Sequence, residues 1–169
     1  KTIAWFTQRS AFKAMLVSEL AWWVAKATMT ERQLVCRLNT FSDIPWERVW
    51  PELFTLFPMV IYYDYTKDPK RVMSKTLPPN YDLTFSRSEL NHDDCLAVLK
   101  HGGRVAVPFS GCGVRKRTAL PAKFDGYPVI DGDETDLRFL DPKSVWVGLY
   151  AKAKGAYDET GFILPTEIK

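Results

Sequence analysis

Apolar positions along the chain follow two rhythms. Near the N-terminus, Phe12, Leu16, Leu20, Trp23, Val24 and Ala27 recur at helical spacing and predict one amphipathic helix over about residues 9–28. Beyond it, "QLVCRLN", "MVIYYDYT", "DLTFSRSE" and "RVAVPF" are short, nearly continuous apolar runs, the pattern of strands buried on both faces. Helical segments alternate with them. Residues 46–57 predict a helix that Pro51 breaks or kinks. Residues 69–75 predict a short one, ended by Pro78 and Pro79. "NHDDCLAVLKHGG" predicts a compact one: Asn91 as cap, acidic residues in the first turn, Gly102 and Gly103 as the stop. The strands recur about every 22 to 25 residues, the βαβ signature of a parallel sheet.

After Phe109 the alternation changes. Residues 111–121 read as a basic loop, "GYPVID" as a fifth strand, and "DETDLRFLDPKS" as a polar connection with room for one helical turn. "SVWVGLYAKA" reads as a sixth strand, and the tail from Lys154 as peripheral. The fold expected is a single α/β domain with a mostly parallel sheet of βαβ units, either an open sheet or a partial, incomplete (β/α) barrel. The leading helix fits either arrangement if a strand precedes it.

Composition changes this picture little. At 169 residues with 46% hydrophobic and 25% charged, the chain suits a globular domain with a real core. The aromatic share of 14%, with six Trp, points first to a large core and second to an aromatic-lined site. A net charge of +3 permits nucleic-acid binding without arguing for it. Cys36, Cys95 and Cys112 lack CxxC spacing and predict reduced thiols in a cytosol-like compartment, the host-cell cytoplasm. No apolar run approaches the ~18 residues that span a membrane, and no signal-peptide pattern is visible, so no membrane partner is expected. The chain opens at Lys1 without Met and runs straight into a helical pattern, as a continuation of something longer would.

Working residues of parallel α/β folds sit on loops at the strands' carboxyl ends. Those positions hold Asn39, Ser42, Asp43 and Glu47 after the first strand, and Asp64, Tyr65, Thr66 and Lys67 after the second. They hold Ser86, Arg87, Ser88 and Glu89 after the third, Ser110 and Cys112 after the fourth, and Asp131, Asp133, Glu134 and Asp136 after the fifth. The repetition predicts a site there. Asp43, Asp64 and Glu89 are its candidate bases or ligands, while Asn39, Lys67, Ser86 and Arg87 are its candidate substrate contacts. The plainer alternative is that these groups cap helices and pair with one another.

Other motifs are weaker. "DGDETD" does not match EF-hand spacing, and a structural role pairing with Arg138 is expected over a metal site. "GVRKR", residues 113–117, is a solvated basic turn or a phosphate contact. His92 and His101 read as surface residues, Cys36 as a core thiol, and Cys112 as a thiol whose basic neighbours could lower its pKa. There is no GxGxxG, GxxxxGK[ST] or GxSxG.

Several long motifs, in order, carry a resemblance: "RLNTFSDIPWE", "YYDYTKDPKRV", "NYDLTFSRSE", "LPAKFDGYPVIDGDETDLRFLDP" and "VGLYAKAKGAYDETGFI". Over nearly its whole length the chain resembles the gene product 88 domain family of phages, plasmids and other mobile elements, whose function is not established. Members usually carry Gly-Thr where this chain has Thr40 and Phe41. They also carry a cysteine-rich segment, after a first strand and before the "KT" that opens this chain, reminiscent of the cluster loop of radical-SAM barrels. The resemblance therefore implies either a piece of a longer protein whose Fe–S loop covers the polar end of the sheet, or a short form without the cluster. The cofactor is left open, an Fe–S cluster being expected only in a longer form.

Three functions follow. The leading one is an enzyme of a mobile element acting on a nucleotide, nucleic acid or modified base. The others are a non-catalytic nucleic-acid-binding or replication accessory protein, using residues 67–71 and 115–117, and a structural protein of a virion or complex, using its aromatics at an interface. The oligomeric state is left open.

Overall fold

The computed structural model describes residues 2–110, 119–152 and 158–166. Its strands, β1 (Val35–Cys36), β2 (Ile61–Thr66), β3 (Tyr81–Ser86), β4 (Arg104–Ser110), β5 (Lys123–Phe124), β6 (Tyr127–Asp131), β7 (Val145–Tyr150) and β8 (Leu164–Pro165), form a mostly parallel sheet in the order β1-β2-β3-β4-β7-β6-β5, with β8 pairing β4. Among the described residues the strand order runs from β1 to β5 without returning on itself. Contacts divide the chain into two compact units, Lys1–Asp64 with Thr76–Asp82, and Tyr65–Lys75 with Leu83–Lys169.

The first unit opens with two helices, α1 (Thr2–Thr7) and α2 (Arg9–Met29). The predicted stripe is the inner face of α2: Phe12 and Leu20 are buried, and Leu16, Val24 and Ala27 half-buried. Trp23 departs from it and is 47% exposed. Next comes β1 (Val35–Cys36), much shorter than its apolar run predicts. The helix predicted over 46–57 is two, α3 (Trp46–Val49) and α4 (Glu52–Leu56), parted at the expected Pro51. In β2 (Ile61–Thr66), Ile61 and Tyr62 stand in register with Val35 and Cys36. Asn80 Nδ2 donates to the carbonyls of Phe54, Phe57 and Val60, closing the turn after α4.

The second unit contains α5 (Pro69–Val72), β3 (Tyr81–Ser86), which begins in the first unit, α6 (His92–Lys100) and β4 (Arg104–Ser110). Asp68 Oδ1 caps α5 by accepting from the Lys70 N–H at 2.9 Å, and Pro69 takes the first helical position. β5 (Lys123–Phe124) and β6 (Tyr127–Asp131) form an antiparallel hairpin. Its turn residues, Asp125 at φ 46° and Gly126 at φ 80°, are left-handed, as the tightest hairpin turns require. A single 3-10 turn (Arg138–Leu140) leads to β7 (Val145–Tyr150), which pairs with β4 in parallel from Arg104↔Val145 to Phe109↔Tyr150.

Alternation along β4 splits the packing. Val105, Val107 and Phe109 join Phe85, Cys95, Val98, Leu99 and Trp146 in one cluster, while Ala106 meets Val145 and Val147 in another. The tail corrects the sequence reading. Instead of lying at the periphery, it supplies β8 (Leu164–Pro165), which pairs with Phe109 and Ser110 just beyond the point where β3 pairs with Val105 and Ala106. Asn91 differs too. Rather than capping α6, its Oδ1 accepts from the Ser88 N–H and its Nδ2 donates to the Ser86 carbonyl.

Candidate functional site

The apolar run ends at Asn39 because that residue ties a loop. Asn39 is 2% exposed and Asp64 1%. The Asn39 N–H donates to Asp64 Oδ1 at 2.7 Å, and its Nδ2 donates to Asp64 Oδ2 at 3.3 Å and to the Ile44 carbonyl at 3.0 Å. The Tyr81 hydroxyl gives Asp64 a further bond at 2.8 Å. Asn39 Oδ1 accepts from the Ser42 hydroxyl, the Ile44 N–H and the Trp46 indole N–H at 2.8, 3.2 and 2.9 Å. An unsatisfied buried polar group costs about 1–3 kcal/mol, so these bonds set the path of residues 39–46.

Of the predicted site residues, the structure brings Asn39 and Asp64 directly together. Asp43 is exposed on the same loop. The others belong to the second unit. Lys67 Nζ stands 5.8 Å from the centre of the Phe162 ring. Buried Arg87 donates through Nη1 to the Gly161 and Phe162 carbonyls at 2.9 and 2.8 Å, and its Nε has no hydrogen-bond partner among the described residues. Ser86 supplies its carbonyl to Asn91, Glu89 is exposed, and the Ser110 hydroxyl donates to the Leu164 carbonyl at 3.2 Å. Within this unit, the C-terminal segment therefore occupies the ends of β3 and β4.

The acidic loop accepts backbone N–H bonds as expected. Asp131 accepts from Asp133 N–H, and Asp133 accepts from Tyr150 N–H and pairs with Lys152 at 3.0 Å. Arg138 pairs with Asp141 at 3.2 Å and donates to the Thr135 carbonyl, rather than serving the "DGDETD" carboxylates. His92 is half-buried, stacked on Trp146 and 3.4 Å from Asp125. Cys112 and residues 113–117 lie outside the described residues.

Cys36 and Cys95 stand on separate elements, and no group of three or more His, Cys, Asp or Glu among the described residues is placed for a metal ion. This donor set does not fit an iron–sulfur cluster. Burial pushes the Cys95 thiol up to about 12, above its ordinary 9.0, and outweighs the opposing pull of Arg87. Burial, with Cys36 adding, raises the Tyr62 phenol.

A feature the sequence reading missed is a cleft of about 710 Å³ in the first unit. One wall is α2, through Phe12, Leu16, Glu19, Leu20 and Trp23; the other is the unbroken run of residues 34–38. Thr40, Phe41 and Ser42 also line it, and Phe41 is 97% exposed. Trp5, Phe12 and Trp46 line it as an aromatic group, with Trp5 and Trp46 edge-on at 4.7 Å and Phe12 stacked on Trp46 at 6.1 Å. Trp46 thus joins the cleft to the Asn39 network through its indole N–H. The helical stripe was legible; that it would line a cleft with residues 34–38 was not.

No helix among the described residues is long and apolar enough to cross a membrane. No curated protein matches the chain, and no solved structure does. The family model for gene product 88 matches residues 1–165, and the chain belongs to that family.

Proposed function

We propose that this protein is an interaction module that docks a partner polypeptide of a mobile-element complex, in the host-cell cytoplasm, through the cleft beside β1. The observation that supports this reading is the contrast between two surfaces. The cleft is lined by aromatic and aliphatic side chains, with Trp23 and Phe41 exposed at it, whereas Asn39 and Asp64 are occupied by hydrogen bonds inside the first unit. Apolar surface rimmed by polar residues marks interaction sites, and aromatic side chains dominate the energetics of such sites.

A second reading is the enzyme acting on a nucleotide or modified base. It is favoured by the cleft's volume, which falls in the range of small-ligand sites, and by rings on which a base could stack, with Arg37 and Glu19 as polar contacts. The nucleic-acid accessory reading is weakened at residues 67–71, because Arg71 is 2% exposed and donates to the Thr66 hydroxyl at 3.1 Å.

An NMR screen of the indole N–H signals of Trp23 and Trp46 separates these readings. A pooled random decapeptide library is expected to shift both. Shifts with nucleoside mono- or triphosphates alone would replace docking by the second reading, and silence with both probes would overturn both.

A further inference from the structure

Side chains of a strand alternate between its two faces, so a cleft over one face meets every second residue. This cleft is lined by Leu34, Val35, Cys36, Arg37 and Leu38 in succession. It therefore runs along the edge of β1, against the backbone.

The register shows which peptide groups face it. β1 is the end strand of the sheet order. The Ile61 N–H donates to the Leu34 carbonyl at 3.1 Å, with Val35 opposite Ile61 and Cys36 opposite Tyr62. In a parallel ladder alternate residues serve the same neighbour. The Leu34 carbonyl and the Cys36 peptide groups thus turn toward β2, and Val35 turns its N–H and carbonyl the other way.

Size and charge fit one occupant. The stripe from Phe12 to Trp23 is about 16 Å long at 1.5 Å per residue, and residues 34–38 span about 13 Å at 3.3 Å per residue. One extended strand of four to six residues matches that length. Glu19 and Arg37 contribute one charge of each sign, and the remaining lining is uncharged, so the slot suits an uncharged strand. Evenly spaced peptide donors and acceptors are what another extended backbone supplies, and the occupant would continue the sheet already formed by β1 and β2.

We infer that the cleft is a slot for one extended, uncharged strand of a partner polypeptide, hydrogen-bonded to β1 at Val35, with apolar side chains at alternate positions against the α2 stripe. This rests on the docking reading and specifies its partner.

The test uses a blocked hexapeptide of alternating valine and threonine, titrated calorimetrically against the whole chain. Three results are expected. The hexapeptide binds. The same peptide N-methylated at alternate residues binds at least about tenfold more weakly, having lost its pairing N–H groups. Val35→Pro weakens binding by a similar factor while the protein stays folded, because the N–H it removes faces away from β2. Should Val35→Pro fail to fold, the N-methylated peptide on the unmodified protein decides alone. Equal binding of the two peptides, no binding of either, self-association through this edge, or loss of hexapeptide binding in a longer form of the protein whose own preceding segment pairs with Val35 would each overturn the partner-strand slot. Binding of the decapeptide pool without the hexapeptide would sink the slot and leave docking standing; no peptide binding at all would sink both.

Discussion

The Asn39 N–H points at Asp64 Oδ1 from 2.7 Å, joining the loop that follows β1 to a residue within its parallel neighbour β2. Through this bond, the loop that carries Ile44 and Trp46 is held by a carboxylate on β2. One wall of the cleft thus depends on a polar pair that never reaches its surface.

Asn39→Ala removes the acceptor of three bonds and the side-chain donor of two more. Asp64, the Trp46 indole and the Ile44 N–H lose partners while remaining buried. A loss of roughly 2–4 kcal/mol is expected by denaturant unfolding, with a shift in the Trp46 indole resonance. A change under about 0.5 kcal/mol would show that the network is dispensable.

Much of the fold was legible. The four apolar runs and their intervening helices follow from periodicity alone, and Pro51 parts two helices because it lacks an N–H. Of the hairpin, β6 was read as the fifth strand, whereas β5 was not: Asp125 and Gly126 signal the turn, but two residues are too few to show alternation. The contribution of the tail was not legible, since β8 depends on a distant partner, β4. At the site, the polar strand ends were visible, but burial decides their role. Asn39 and Asp64 look alike in sequence whether they face a ligand or each other.

Gly132 lies where a side chain has no room. A Cβ there would stand 2.5 Å from Val147 Cγ1 and 2.8 Å from an Arg138 nitrogen. Gly132→Ala is expected to cost about 1–3 kcal/mol by overpacking, read as a lower Tm. An unchanged Tm would mean that the Arg138 turn yields freely.

Cys95 sets an alkaline limit. Its thiol is pushed up to about 12 in the folded protein from an ordinary 9.0. The unfolded chain therefore releases this proton first, and the stabilising contribution is full below pH 9 and lost as pH rises toward 12. Tyr62 drifts in the same direction, so the comparison is with Cys95→Val. The wild type should lose more stability than the variant between pH 8 and 10.5, and parallel curves would contradict this. At pH 8 the native thiol should resist iodoacetamide.

Arg87 holds the C-terminal segment through two carbonyls. Arg87→Met should release it, raising the rate of thermolysin cleavage near Phe162 and Leu164 several-fold with the rest of the chain intact. Unchanged cleavage would assign the anchoring to β8 pairing and to Asp158, whose carboxylate is held below its ordinary value by the Ile163 N–H.

The most direct measurement is amide hydrogen exchange at Val35, with and without the valine–threonine hexapeptide. Strand addition predicts that saturating peptide slows Val35 exchange at least about tenfold, while Ile61, already bonded to Leu34, changes little. A bound peptide that leaves Val35 exchanging at its free rate would contradict pairing along β1.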